Sequence, residues 1–421
     1  MTTTMFPEVI EGEPLILQRV ERHVVTKNDS NFKAIDHLCF MSKNLYNYTN
    51  YLLRQSFFKT GILPKEFDVV KEFHDTHNYD YYNMCGNTNQ QCIKLLYKNW
   101  KSFFKATKEY NKDPSKFLGK PKIPKYKDKD GRNVVIFTYS DSRIKDGYLY
   151  VNSKSCIGRI KTNVVKEQYK QTRIVPQCGC YVIEVIYEIP QEQLGLNPNN
   201  YLSIDIGVNN LATCYDNHAN IAFIINGRIV KSINQYYNKK KAVLMSYVGD
   251  RGTSNRIQKL TVDRNNKINN YMHNASRMIV DYCVYHNIGT IVIGHNDGWK
   301  QGCNNGKKNN QNFISIPFNK LISQIQYKAE NVGITCVITE ESYTSKVDHL
   351  ALEEMCHHDK YAGNRKKRGL FKSITGKALN ADLNGAVGIL RKVIDESQFI
   401  EIANRGFVTN PFKVNPLIKI W

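Results

Sequence analysis

LSIDIGVNN, residues 202–210, runs from a short apolar stretch into an acid and then, one residue later, into glycine. Leu202 and Ile204 read as a buried strand and Gly207 as the turn that ends it. An acid at the end of such a strand either caps the turn or holds something charged there. The second reading requires further carboxylates that converge on the same spot. Downstream of 201 the pattern is α/β. Strands are expected at 201–206, 211–215 and 221–225, in an order that suits an antiparallel meander. Helical spacing follows over about 231–247 and 253–286, then a strand at 290–294. A helix over 317–331, a strand at 334–339 and a last helix over about 382–395 complete the half.

Three strands, then helix, strand, helix, strand, helix is the plan of an RNase H-like domain, whose site lies beyond the end of the first strand and close to the fourth. The plan predicts where acids collect. Asp205 ends the first strand. Asp382, in LNADLNGAVGIL (379–390), opens the last helix. Alone, Asp382 reads as a helix cap that also suits the dipole. Paired with an acid at the first strand, it reads as a metal ligand. Such a pair holds Mg²⁺ through oxygen, and two ions about 4 Å apart clamp the attacking and leaving oxygens of a phosphodiester. A third carboxylate is expected directly after the fourth strand, where Gly294 stands instead. Asp297 lies three residues on, in GHNDGWK, and Glu340 and Glu341 follow the fifth strand, in VITEESYTSK. Strands about 4.8 Å apart put the end of the fifth roughly 10 Å from the first. A glutamate turning back over the glycine covers that gap. Glu341 is favoured, with Glu340 facing the other way; Glu340, Asp297 and the absence of a third acid stay open.

Bulk properties narrow the partners. The chain has 421 residues, enough for two or three domains, and its 41% hydrophobic content is that of a globular protein. No run of about 18 apolar residues exists to span a membrane, and the N-terminus has no secretory pattern. Eleven scattered cysteines read as reduced thiols of a cytoplasmic protein. Lys plus Arg total 59 against 38 Asp plus Glu, a net charge of +21, beside 26 Tyr and 18 Phe. Cation with ring is the combination that grips a phosphate backbone and stacks on bases.

The N-terminal half divides by pattern. Residues 13–26 alternate as strand. Helical spacing covers 31–60 and about 90–110, the second studded with Lys94, Lys98, Lys101, Lys105 and Lys108. FLGKPKIPKYKDKDGR, 117–132, is extended and basic, a strap across a phosphate backbone or an ordinary linker. Short strands fill 133–190, and PQEQLGLNPNN (190–200) reads as a boundary. The expected organisation is β-rich at 1–30 and 117–200, helical at 31–116, and nuclease-like at 201–421.

LSIDIGVNNLATCYD (202–216), SINQYYNKKKA (232–242), IGHNDGWKQ (293–301), ESYTSK (341–346) and NADLNGAVGIL (380–390) resemble the TnpB family of transposon-encoded, RNA-guided DNA nucleases related to type V CRISPR effectors. NLYNYTNYLLRQ (44–55) and the basic strap resemble it too. The resemblance implies a RuvC-type nuclease domain in the C-terminal half, preceded by a β-barrel-like wedge domain with a helical recognition insert. It implies a guide RNA made from the transposon end, a double-stranded DNA target cut beside a short duplex motif, and two Mg²⁺ held by Asp205, Glu341 and Asp382. It also implies a prokaryotic, nucleoid-associated setting. The family's middle glutamate matches Gly294, and its zinc ribbon has lost its cysteine pairs in 340–377, which argues against zinc; Arg365, Lys366, Lys367 and Arg368 remain there as a basic cluster. Trp299, in the polar loop 296–313, is a candidate guide for a single strand. Two rival readings are a nuclease-inactive RNA-guided DNA binder and an RNase H-like DNA-joining transposase.

Overall fold

A computed structural model describes residues 14–249, 252–296, 298, 306–367 and 369–418. Its contacts divide the described residues into two units, Ile16–Pro190 and the chain from Gln191 onward, the latter together with residues 14–15, which the expected 1–30 grouping places in the first.

In the first unit, β1 (Ile16–Val25) is followed by α1 (Phe32–Thr60) and α2 (Thr88–Lys112), then by β2 (Val135–Phe137), β3 (Tyr169–Gln177) and β4 (Cys180–Pro190). These strands form an antiparallel sheet in the order β1–β4–β3–β2. The sheet thus joins chain from before and after the helices. Ile35, Leu38, Leu45 and Leu53 of α1 recur at helical spacing and share one core with Ile93, Leu96 and Trp100 of α2. Gly61 ends α1 at φ 73°, its N–H donating to the Phe57 carbonyl, a turn that a Cβ would strain. Two short helices, Glu66–Asp75 and Tyr79–Asn83, occupy a stretch where the sequence shows little periodicity. Only Val69 and Phe73 of the first and Tyr81 of the second are buried.

The second unit contains β5 (Asn197–Ile206), β6 (Asn210–Asp216), β7 (Ile221–Asn226), α3 (Arg228–Val248), α4 (Asn255–Tyr285), β8 (Ile288–Gly294), α5 (Phe318–Asn331) and β9 (Thr335–Thr339). A small sheet follows, β10 (Asn364–Lys367), β11 (Leu370–Lys372) and β12 (Ala378–Asn380), then α6 (Ala381–Arg391), α7 (Glu396–Arg405) and β13 (Phe412–Val414). The main sheet runs β9–β8–β5–β6–β7–β13. β5, β6 and β7 form the antiparallel meander, and β8 and β9 add in parallel beside β5. This strand order is the one the RNase H-like plan requires. Leu202, Ile204, Ile291 and Ile293 pack against Ile268, Met272 and Ile279 of α4 and Leu321 and Ile325 of α5. On the other face Tyr215 and Ala222 meet Leu383, Ala386 and Leu390 of α6 and Phe399 of α7. The result is three layers, helix, sheet and helix.

Four elements differ from the sequence-based reading, the first a helix, Lys307–Ser315, where the end of a polar loop over 296–313 was expected. α6 stops at Arg391, not 395, because the chain turns there to lay α7 on the same core; Arg391 is fixed by Glu396 and by the Glu353 carbonyl. β13 pairs in parallel with β7, Phe223 beside Phe412, a long-range contact of a three-residue strand that carries no local pattern. The insert after β9 contains the β10–β12 sheet. Among the described residues no helix is long and apolar enough to cross a membrane.

Asp216, at the end of β6, is wholly buried. Its carboxylate accepts the His218 and Ala219 N–H groups at 2.8 and 3.0 Å and the Tyr282 hydroxyl of α4 at 2.9 Å. Tyr282→Phe removes one hydrogen bond to a buried charge, and the unfolding free energy is expected to fall by about 1.5–3 kcal/mol in chemical denaturation.

Candidate active site

Strand register sets the first part of the site. Ile293 of β8 pairs with Ile204 of β5, so Gly294 is the neighbour of Asp205 where both strands end. Above them lies the start of α6. The side chain of Asn380 accepts the N–H groups of Asp382 and Leu383 at 2.9 and 3.2 Å, so Asn380 is the cap and Asp382 is spared that role. The Asp382 carboxylate turns outward instead. Its Oδ2 accepts the Asn210 amide at 2.6 Å, and its Oδ1 accepts an Arg365 guanidinium N–H at 3.1 Å. Gly385 follows one turn later on the same helix face. A methyl group added there would stand 2.8 Å from Asp205 Oδ2, so the missing side chain is what lets α6 close over the strand acid.

Gly294 makes a second notch. A methyl group on it would meet Glu341 Cγ and Oε1, each at 2.9 Å, and Ile389 Cδ1 at 2.4 Å. The Glu341 side chain therefore lies over the glycine. Its backbone N–H donates to Asn296 Oδ1 at 3.0 Å, and its carbonyl accepts the Thr344 hydroxyl at 2.9 Å. The turn beyond is held by the His349 Nε2–H on the Thr344 carbonyl (2.8 Å) and the Asn384 amide on the Val347 carbonyl (2.9 Å). The adjacent Glu340 faces elsewhere, ion-paired with Lys392 and accepting the Ser342 N–H. Asp297, Trp299 and Arg368 lie outside the described residues. Lys366 and Lys367 of β10 are exposed.

Asp205, Glu341 and Asp382 all line one open cavity of about 630 Å³. Arg228, Arg365 and Lys413 stand at the same cavity and give it a cationic rim. Asp205 is at its floor, packed by protein on most sides yet reached by solvent through the opening. Burial, and then the charges of Asp382 and Glu341, push its carboxyl up to about 8, against the pull of Arg365. Burial pushes Glu341 up to about 7, and its Oε1 is enclosed without a hydrogen-bond partner.

These features would suit a hard divalent cation: all three acids offer carboxylate oxygens, and one of those oxygens is orphaned. As the side chains stand, no group of three or more His, Cys, Asp or Glu among the described residues could hold a metal ion. The Arg365 and Asn210 contacts hold Asp382 in its present orientation. In the insert, Cys356 Sγ and His358 Nε2 touch at 3.4 Å.

Several members escaped the sequence reading. Asn210 and Asn296 sit in motifs that drew attention for their acids and glycines. Arg365 was visible only as one of a basic run, since its approach to Asp382 depends on the β10–β11 hairpin. Lys413 reaches the cavity through the β7–β13 pairing, which has no local signal.

Two family models match the chain. One, "OrfB_IS605: Probable transposase", covers residues 184–300; the other, "Cas12f1-like, TNB domain", covers 318–389. No curated protein matches. Among solved structures, a Cas12f1–sgRNA–target DNA complex aligns at TM-score 0.49 and 15% identity over 84% of this chain and 81% of that one. The mini-RNA-guided endonuclease CRISPR-Cas_phi3 aligns at 0.41 and 11% over 94% and 93%.

The raised pKa of Asp205 has a signed consequence. The folded state holds the proton up to about pH 8, whereas the unfolded chain releases it near 3.8. The native state thus binds more protons between these values, and stability contributed by this group falls as pH rises through that window. Asp205→Asn is expected to melt higher than wild type in metal-free buffer. The gap should be absent near pH 4 and largest above pH 8 in a series of thermal melts.

Proposed function

We propose that this TnpB-like protein is an RNA-guided DNA endonuclease whose RuvC-type site is the cavity bounded by Asp205, Glu341 and Asp382. The observation that carries the reading is the meeting of these three acids, 177 residues apart along the chain at the extremes, around one cavity with a cationic rim. The two matched family models and the charge of +21 support it. In this reading a guide RNA from the transposon end pairs with the target and supplies sequence recognition, while the protein reads a short duplex motif. The sheet of β1–β4 serves as the wedge and the helices between them as the recognition part.

Asp205, Glu341 and Asp382 would hold Mg²⁺, two ions in the full site. Bound there, the ions would stabilise the charge that develops on the attacking and leaving oxygens of the phosphodiester. The chain's own groups do the rest. Arg228 and Lys413 draw the backbone to the opening. Asn296 fixes the main chain at Glu341, and Asn210 holds one oxygen of Asp382. Arg365 neutralises Asp382; with a cation taking over that charge, its planar fork would be free to suit a phosphate oxygen.

The description of the first family model as a probable transposase favours a second reading, DNA joining by the same fold. Strand-transfer products formed without RNA would support it over cleavage. Equal, negligible cutting by wild type and Asp205→Ala would instead favour an RNA-guided binder.

In plasmid cleavage with co-purified RNA and Mg²⁺, Asp205→Ala and Glu341→Ala are each expected to lose about 100-fold or more in rate. The double variant Gly294→Glu/Glu341→Ala moves the acid to the neighbouring strand and is expected to regain part of that loss. Normal cutting by Glu341→Ala with a dead Asp297→Ala would overturn the assignment. Independently of activity, Mg²⁺ is expected to raise the melting temperature of wild type and not of Asp205→Asn.

A further inference from the structure

We infer that residues 117–129 form a prefolded cationic rail that takes up the sugar–phosphate backbone of the bound nucleic acid. The inference rests on the nucleic-acid reading above and concerns a surface remote in sequence from the acidic cavity. FLGKPKIPKYK, 117–127, contains four lysines and no acid; Asp128, Lys129 and Asp130 follow. The segment is neither helix nor strand, yet its main chain is fastened along α1. The Asn50 amide donates to the Pro124 carbonyl at 3.0 Å. Asn47 grips Lys127 at both groups, donating to its carbonyl at 2.9 Å and accepting its N–H at 2.8 Å. Lys43 Nζ donates to the Lys129 carbonyl at 2.8 Å, and the Asn133 N–H reaches the Cys39 carbonyl at 3.1 Å. Residues 39, 43, 47 and 50 succeed one another by three or four, so one helix face holds the strap from Pro124 to Asn133, and Lys120 and Lys122 lead directly into that fixed stretch. Arg54, four further on, lies over the Tyr126 ring at 4.7 Å, and Ile123 packs on the core.

A linker needs no such ladder. Asn50 is fully buried, and its other amide atom accepts the Trp100 indole N–H at 3.2 Å. A core polar residue is therefore committed to fixing this backbone. The prolines at 121 and 124 stiffen it further. With the main chain turned toward α1, Lys120, Lys122 and Lys125 are exposed, and none has an acidic partner among the described residues. In an extended chain, Lys120 and Lys122 are about 6.6 Å apart and on the same side. Charges held this way bind phosphates without first having to be ordered. Lysines on a fixed backbone carry no base readout, so the ligand is any phosphodiester strand of the right curvature. Guide RNA and target DNA share that chemistry.

The test uses the full-length protein and three fluorescent mixed-sequence probes: an RNA hairpin, a DNA duplex and an RNA–DNA hybrid. Lys120→Gln/Lys122→Gln/Lys125→Gln is expected to flatten the plot of log affinity against log salt by about 2–3 on the probe the rail serves, with unchanged melting temperature. Which probe responds identifies the source of the strand. Asn47→Ala alters no charge; it is expected to weaken the same probe several-fold while leaving the slope in place. An unchanged slope for the triple variant on every probe overturns the rail. So does a flattened slope with wild-type binding by Asn47→Ala, which would reduce the effect to bulk charge. Cleavage decides the other reading separately: a wild type that never cuts but shows the expected slope change sinks the nuclease and leaves the rail.

Discussion

Asp205 shares one open cavity with two other carboxyl groups, and fitting the three together is the constraint around which the second unit is built. Like charges approach this closely only where the backbone makes room and something else supplies positive charge. Room comes from Gly294 and Gly385, at each of which a single methyl group would collide with an acid. Positive charge comes from Arg365, reaching over from the small sheet that precedes α6. The cost of that crowding is written in the raised proton affinity of Asp205 and Glu341. The folded chain gives up stability there that its three-layer core must supply.

The division of work between Asn380 and Asp382 illustrates how residues of similar chemistry two positions apart separate into roles. Both can cap a helix, and the sequence offers both at its start. Only one can have the geometry of the cap. Asn380, with an extended backbone and its oxygen turned back on the first turn, takes it. Asp382 then keeps the benefit of the helix dipole while its carboxylate faces the cavity.

The main sheet was legible because its strands are short, apolar and separated by clear turns, and because alternation of helix and strand leaves few topologies. Asp205 was legible because it stands at the end of a strand of that sheet, and Asp382 because it opens the helix that packs on it. Glu341 could be preferred over Glu340 because alternation along an extended chain sends neighbours to opposite sides. The missing parts share a physical cause, dependence on pairing across long stretches of chain. β13 has three residues and finds β7 nearly two hundred positions earlier. Arg365 gains its importance from a hairpin with little apolar content. Asn47 and Asn50 look like ordinary helix polars until the strap they hold is in place.

The notch at Gly294 also constrains how this cavity can change over generations. A carboxylate at 294 and one at 341 would compete for the same few ångströms. A lineage moving its acid between the two strands must therefore pass through a form with a collision or a form with a vacancy. Drift between the two designs would be rare, and each would tend to persist in its own branch.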